Sequence, residues 1–126
     1  MRLTGAVYYA QAAATAELMA GGILRLCGEH GETLGDGRMP DTYTVGDKGE
    51  RIVWPRPHSI VCSAKGQACR FQILDKTGKI VLAEDFAGEH TGAVLRFEDS
   101  RLFERMIVDF EDEFFIIELI NPEDQS

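Results

Sequence analysis

Residues 68–86 read ACRFQILDKTGKIVLAEDF. Cys69, Phe71 and Ile73 alternate with Arg70 and Gln72, the period of two expected of a strand with one buried face. Asp75-Lys76-Thr77-Gly78 follows, and each end of it has turn chemistry. The Asp75 carboxylate can accept from backbone N–H groups just ahead of it, and Gly78 can take the positive φ that closes a bulged hairpin. Ile80 and Leu82 then resume an apolar face on the way back. The stretch predicts a β-hairpin, and the rest of the chain is read around it.

Working towards the N-terminus, Ile60 to Ser63 and Arg51 to Trp54 are short strand candidates, separated by Pro55 and Pro57, neither of which can donate to a ladder. Gly28 to Gly49 shows little periodicity and is rich in Gly, Asp, Glu and Thr, so it predicts a long polar connection with a short edge strand near Thr42 to Val45. Ile23 to Cys27 is a strand bounded by Gly22 and Gly28. Residues 6–20, AVYYAQAAATAELMA, predict the one helix, stopped by Gly21-Gly22, with Val7, Ala10, Ala14 and Leu18 as a narrow apolar stripe.

Towards the C-terminus, Gly88 to Gly92 predicts a turn. Ala93, Leu95 and Phe97 alternate with Val94, Arg96 and Glu98, and Met106, Val108 and Phe110 alternate with Arg105, Ile107 and Asp109. Phe114 to Ile120 is apolar on both faces except for Glu118, as in a strand covered on both sides. Residues 121–126 are a polar tail, and residues 1–21 form the helix or arm. Seven or eight short strands at regular spacing predict an all-β chain: an antiparallel β-sandwich of jelly-roll type with a short N-terminal helix, in a single domain spanning 1–126. The expected core positions are Leu26, Phe71, Ile73, Leu82, Leu95, Phe97, Val108, Ile117 and Leu119.

The 126 residues carry 21 acidic and 13 basic side chains, a formal net charge of −8. That balance argues against a nucleic-acid backbone or an anionic membrane as partner. The apolar segment from Ala10 to Leu18 holds Gln11 and Glu17 and is too short to span a bilayer. Cys27, Cys62 and Cys69 are odd in number and lack ligand spacing, so reduced thiols are expected, as in a protein made in the cytosol. His30, His58 and His90 fall in loops with no i,i+2 or i,i+4 pairing, so no metal and no cofactor is expected. There is no Gly-x-Ser-x-Gly elbow and no phosphate-binding Gly-x4-Gly-Lys-Ser/Thr loop. The carboxylate pairs Glu84-Asp85 and Glu98-Asp99 are neighbours that point apart on a strand. Trp54 with Tyr8, Tyr9 and Tyr43 could line a sugar-binding face.

As a whole the chain resembles small β-sandwich proteins encoded by tailed phages and prophages. The resemblance is carried by Gly21-Gly22-Ile23-Leu24-Arg25-Leu26-Cys27-Gly28 and by Gly66-Gln67-Ala68-Cys69-Arg70-Phe71-Gln72-Ile73-Leu74-Asp75-Lys76-Thr77-Gly78. It extends from about residue 5 to 120 through Leu95 and the closing strands. Cys27-Gly28-Glu29 departs from the Tyr-Asp-Gly turn of that pattern, and Arg70 precedes rather than follows the aromatic residue. The resemblance implies a non-enzymatic virion component, head- or tail-associated and made in the bacterial host cytoplasm. It implies contacts with itself as a homo-oligomer and with other virion proteins, and it transfers no catalytic residue.

The composition of the last strand points the same way. One face of Phe114 to Ile120 can fill the core. Phe114, Ile116 and Ile120 on the other face need either the N-terminal helix or another subunit, which makes them candidate interface residues together with Tyr8 and Tyr9. The alternative reading is a carbohydrate- or small-ligand-binding module using Trp54 and Tyr43. A small metal-dependent enzyme built on the loop histidines comes third.

Overall fold

A computed structural model of the chain describes residues 5–85 and 96–119. It is predominantly β, in antiparallel sheets, with one N-terminal helix. The expected Gly88–Gly92 turn, the strand residues 93–95 with Leu95, His90, Ile120 and the tail all lie outside the described residues.

The helix α1 spans Gly5–Met19, and β1 (Ile23–Cys27), β2 (Thr33–Arg38), β3 (Thr44–Val45) and β4 (Arg51–Pro55) follow. Next come β5 (Ile60–Val61), β6 (Gly66–Gln67), β7 (Arg70–Leu74) and β8 (Ile80–Asp85), then β9 (Arg101–Leu102), β10 (Ile107–Val108) and β11 (Phe114–Glu118). The hairpin β7–β8 forms as read. Asp75 Oδ1 accepts from the backbone N–H groups of Thr77 (2.9 Å) and Lys79 (3.0 Å) and from the Thr77 hydroxyl (2.6 Å). Gly78 has φ 91° and donates to the Asp75 carbonyl. The hairpin joins a four-stranded sheet ordered β2-β1-β7-β8.

A bulge between Ile73 and Leu74 alters one expectation. Ile73 pairs with Leu82 but Leu74 pairs with Ile80, so the two return-strand residues do not share a face as read. Leu82 packs against the core while Ile80 is 57% exposed.

β2 was not legible as a strand, because its glycines break the alternation. They are there for Ile60, which is fully buried. A Cβ on Gly37 would lie 2.5 Å from Ile60 Cγ1, and one on Gly35 would lie 2.9 Å from Ile60 Cγ2. The isolated bridge Gly35–Cys62 and the Ser63 N–H to Leu34 carbonyl bond (2.8 Å) then carry β5 alongside β2, and β10 pairs with β5 in turn. The two-residue pair β6–β9 was likewise too short to read.

The second, three-stranded sheet is ordered β11-β4-β3. Its Ile52, Trp54, Phe115 and Ile117 join one core cluster with Leu24, Leu26, Phe71 and Ile73 of the first sheet. Phe71 meets Phe115 edge-on, with ring centroids 5.8 Å apart. Of the expected core, Leu26, Phe71, Ile73, Val108 and Ile117 are buried, and Leu82, Phe97 and Leu119 are half-buried against the cluster. Phe97 bridges to Phe110 in backbone pairing and ring contact.

The helix lies where expected but turns its other side inward. Ala12, Ala16 and Met19 are buried, whereas Val7 and Leu18 of the expected stripe are 37% and 55% exposed, and Ala10 and Ala14 are exposed as well. Apolar residues run all round this helix, so periodicity cannot choose a face. Close approach chooses it: the helix packs against β3, β4 and β8, with Ala12, Ala16 and Met19 its buried side chains. The Tyr8 carbonyl lies directly over Gly49, which has φ 70° and no room for a Cβ.

Candidate interaction surface

β11 pairs with β4 in the register Phe114–Pro55, Phe115–Trp54, Ile116–Val53, Ile117–Ile52 and Glu118–Arg51. Because side chains alternate, Phe115 and Ile117 go into the core while Phe114 and Ile116 go out. The expectation of a strand covered on both faces therefore fails within one chain. Phe114 is 52% exposed and Ile116 39% exposed. Across the outer face they neighbour Pro55 and Val53, and an Arg51–Glu118 ion pair of 3.9 Å closes one end. At the other end the Arg56 guanidinium donates to the carbonyls of Asp112 (3.1 Å) and Glu111 (3.3 Å), which fixes the entry to β11. Among the described residues β11 has hydrogen-bonded pairing only with β4, at the edge of its sheet.

The helix contributes a separate piece of surface. Tyr9 is 44% exposed and Tyr8 is half-buried over the Gly49 turn. Ile120, the remaining expected interface residue, lies outside the described residues. An expectation missed from the sequence is a second apolar surface. Val61 and Ile107 are direct cross-strand partners on β5 and β10, exposed by 59% and 60%, and Phe103 nearby in sequence is 55% exposed. The alternation around Ile107 placed it opposite Val108, but nothing in the sequence indicates that β5 brings Val61 beside it.

The ligand face of Trp54 and Tyr43 is overturned. Trp54 is fully buried, because its register partner Phe115 is on the inner side of the sheet and Trp54 must follow it. The half-buried Tyr43 ring packs on it with centroids 5.1 Å apart, and Trp54 Nε1 has no hydrogen-bond partner among the described residues. An indole enclosed in this way cannot stack on a sugar.

The titratable groups are mostly structural. The Thr77 hydroxyl, then the Lys79 and Thr77 amides, hold the Asp75 carboxyl below the usual range. Backbone N–H groups of Glu50 itself and Lys48 do the same for Glu50 in the turn before β4. Arg25 donates to both oxygens of Asp36, at 2.8 and 3.1 Å, tying β1 to β2 across the outer face. All three cysteines are free, and burial pushes the Cys27 and Cys62 thiols up, away from the thiolate a nucleophile needs. His30 and His58 are exposed. No group of three or more His, Cys, Asp or Glu among the described residues is placed to hold a metal ion, and no described helix is long and apolar enough to cross a membrane.

No family model, no curated protein and no solved structure matches this chain.

Proposed function

We propose that this chain is a non-enzymatic structural or assembly protein that works as a homo-oligomer through the outer face of β11. The observation that carries the reading is the pair Phe114 and Ile116, half-exposed on an edge strand whose other face is fully committed to the core. Between Phe114 and Ile117 this apolar edge carries no Pro, Lys or described bulge, and Glu118 is its one charge, so a specific partner is its natural cover. The setting is a tailed-phage or prophage particle. That part rests on the resemblance of the Gly21–Gly28 and Gly66–Gly78 segments, as does contact with other virion proteins. The face-to-face arrangement of a jelly-roll sandwich belongs to the same reading and draws support from the Phe71–Phe115 contact between the two sheets.

Light scattering tests the proposal. The expected result is a defined oligomer at micromolar concentration that Ile116→Glu converts to a monomer that still unfolds cooperatively, because Ile116 is already partly in water within one chain. A monodisperse monomer at high micromolar concentration, unchanged by Ile116→Glu, would refute it.

A further inference from the structure

We infer that a second docking site, lined by no residue of β11, takes a lysine or arginine side chain of a partner polypeptide, with apolar neighbours of that residue resting on Val61 and Ile107. The site is a hollow of about 100 Å³ between the Phe97 segment and β10. That is well below the roughly 300–1,000 Å³ of small-molecule and cofactor sites, and suits one side chain. Its apolar lining comes from Phe97, Met106 and Val108, and Glu98, Asp99 and Asp109, all exposed, are its acidic residues. Ile107, also part of the lining, is 60% exposed and continues outward into its cross-strand partner Val61.

The lining matches one kind of occupant. Lysine and arginine have an apolar stem that lies along hydrocarbon and a cationic head that needs acceptors. Asp99 accepts from the Arg101 backbone N–H (2.9 Å) and Asp109 from the Ser59 hydroxyl, which leaves each carboxylate further acceptor capacity. Glu98 has no hydrogen bond or ion pair among the described residues, and none of the three carboxylates has a described cationic side chain within ion-pairing distance. Arg101 and Arg105 are close in sequence, but neither lines the hollow. With a net charge of −8, another copy of this chain is a poor source of the cation, so the complementary partner is a different, basic polypeptide.

The turn beside the hollow is held in an uncommon geometry. Met106 N–H donates to the Phe103 carbonyl (3.0 Å), with Arg105 at φ 70°, a value that side-chain-bearing residues seldom adopt. Arg105 N–H donates in turn to the Cys62 carbonyl and Cys62 N–H to the Met106 carbonyl, both at 2.8 Å. These bonds fix β10, one wall of the hollow, against β5.

The test is an amide-resolved NMR titration of the full chain with the peptide acetyl-Leu-Arg-Leu-amide at low and high salt. Acetyl-Gly-Arg-Gly-amide and acetyl-Leu-Glu-Leu-amide serve as controls. The expected shifts cluster at residues 60–61, 97–99 and 106–109, weaken with salt, and are much smaller for both controls. Glu98→Gln combined with Asp109→Asn should weaken binding about tenfold, whereas Glu17→Gln on the exposed side of α1 should not. Glu98→Gln alone guards against a folding effect, since Glu98 supports no described contact, and should weaken binding severalfold. Shifts scattered over all acidic surfaces, equal response to the glycine peptide, or undiminished binding by Glu98→Gln would each overturn the inference. None of these outcomes bears on the oligomer read by light scattering.

Discussion

Asp75 shows how one side chain can set a turn. One of its oxygens, Oδ1, accepts three bonds, two from amides and one from the Thr77 hydroxyl, and all three favour the ionised carboxylate. Because the folded state depresses this pKa, the bonded carboxylate contributes stability above the ordinary carboxylate value, and that contribution is lost as pH falls through the depressed one. The stability gap between the wild type and Asp75→Asn should therefore be present at neutral pH and shrink as the pH falls below the ordinary carboxylate range, as followed by urea unfolding at each pH. Phe71 makes the opposite kind of contribution. It is fully buried and meets Phe115 of the other sheet, so Phe71→Ala should cost about 3–5 kcal/mol in the same measurement. An unchanged melting temperature would refute the register of the hairpin.

The helix offers the clearest test at the level of one element. Ala16 is fully buried and Ala14 is exposed, though both belong to the same alanine run. Ala16→Leu adds about three carbons at a fully buried position and should cost about 1–3 kcal/mol. Ala14→Leu should fall within about 0.5 kcal/mol. Thermal unfolding of the pair decides which face packs. Strand β11 makes a matching contrast between neighbours: Phe115 is buried and Phe114 is half-exposed, so only the latter is available for contact outside the chain.

For the molecule as a whole, one core is shared by the four-stranded sheet, the three-stranded sheet and the helix; Cys62 belongs to it, and Cys27 is buried as well. Cys69 alone is half-buried, with its thiol 3.4 Å from the Gln67 carbonyl. A thiol reagent under native conditions should modify Cys69 first, and Cys27 and Cys62 only on the timescale of unfolding. Mass spectrometry of the labelled chain reads the order directly, and an intact mass about two daltons below the reduced value would instead reveal a disulfide.

The amino-acid sequence by itself determined what depends on neighbours along the chain. The hairpin turn follows from Asp75 and Gly78, the helix from its alanine run and Gly21-Gly22, and the alternation around Phe71 and Val108 marks which side of those strands is apolar. What needed the tertiary structure was every choice between faces that are equally apolar, and every strand whose pattern is broken by a contact from elsewhere. The inward side of α1 and the burial of Trp54 were decided by the approach of Tyr8 to Gly49 and by the register of β4 against β11. β2 was hidden because Gly35 and Gly37 answer to Ile60, a residue more than twenty positions away in sequence, and local periodicity contains no term for such a partner.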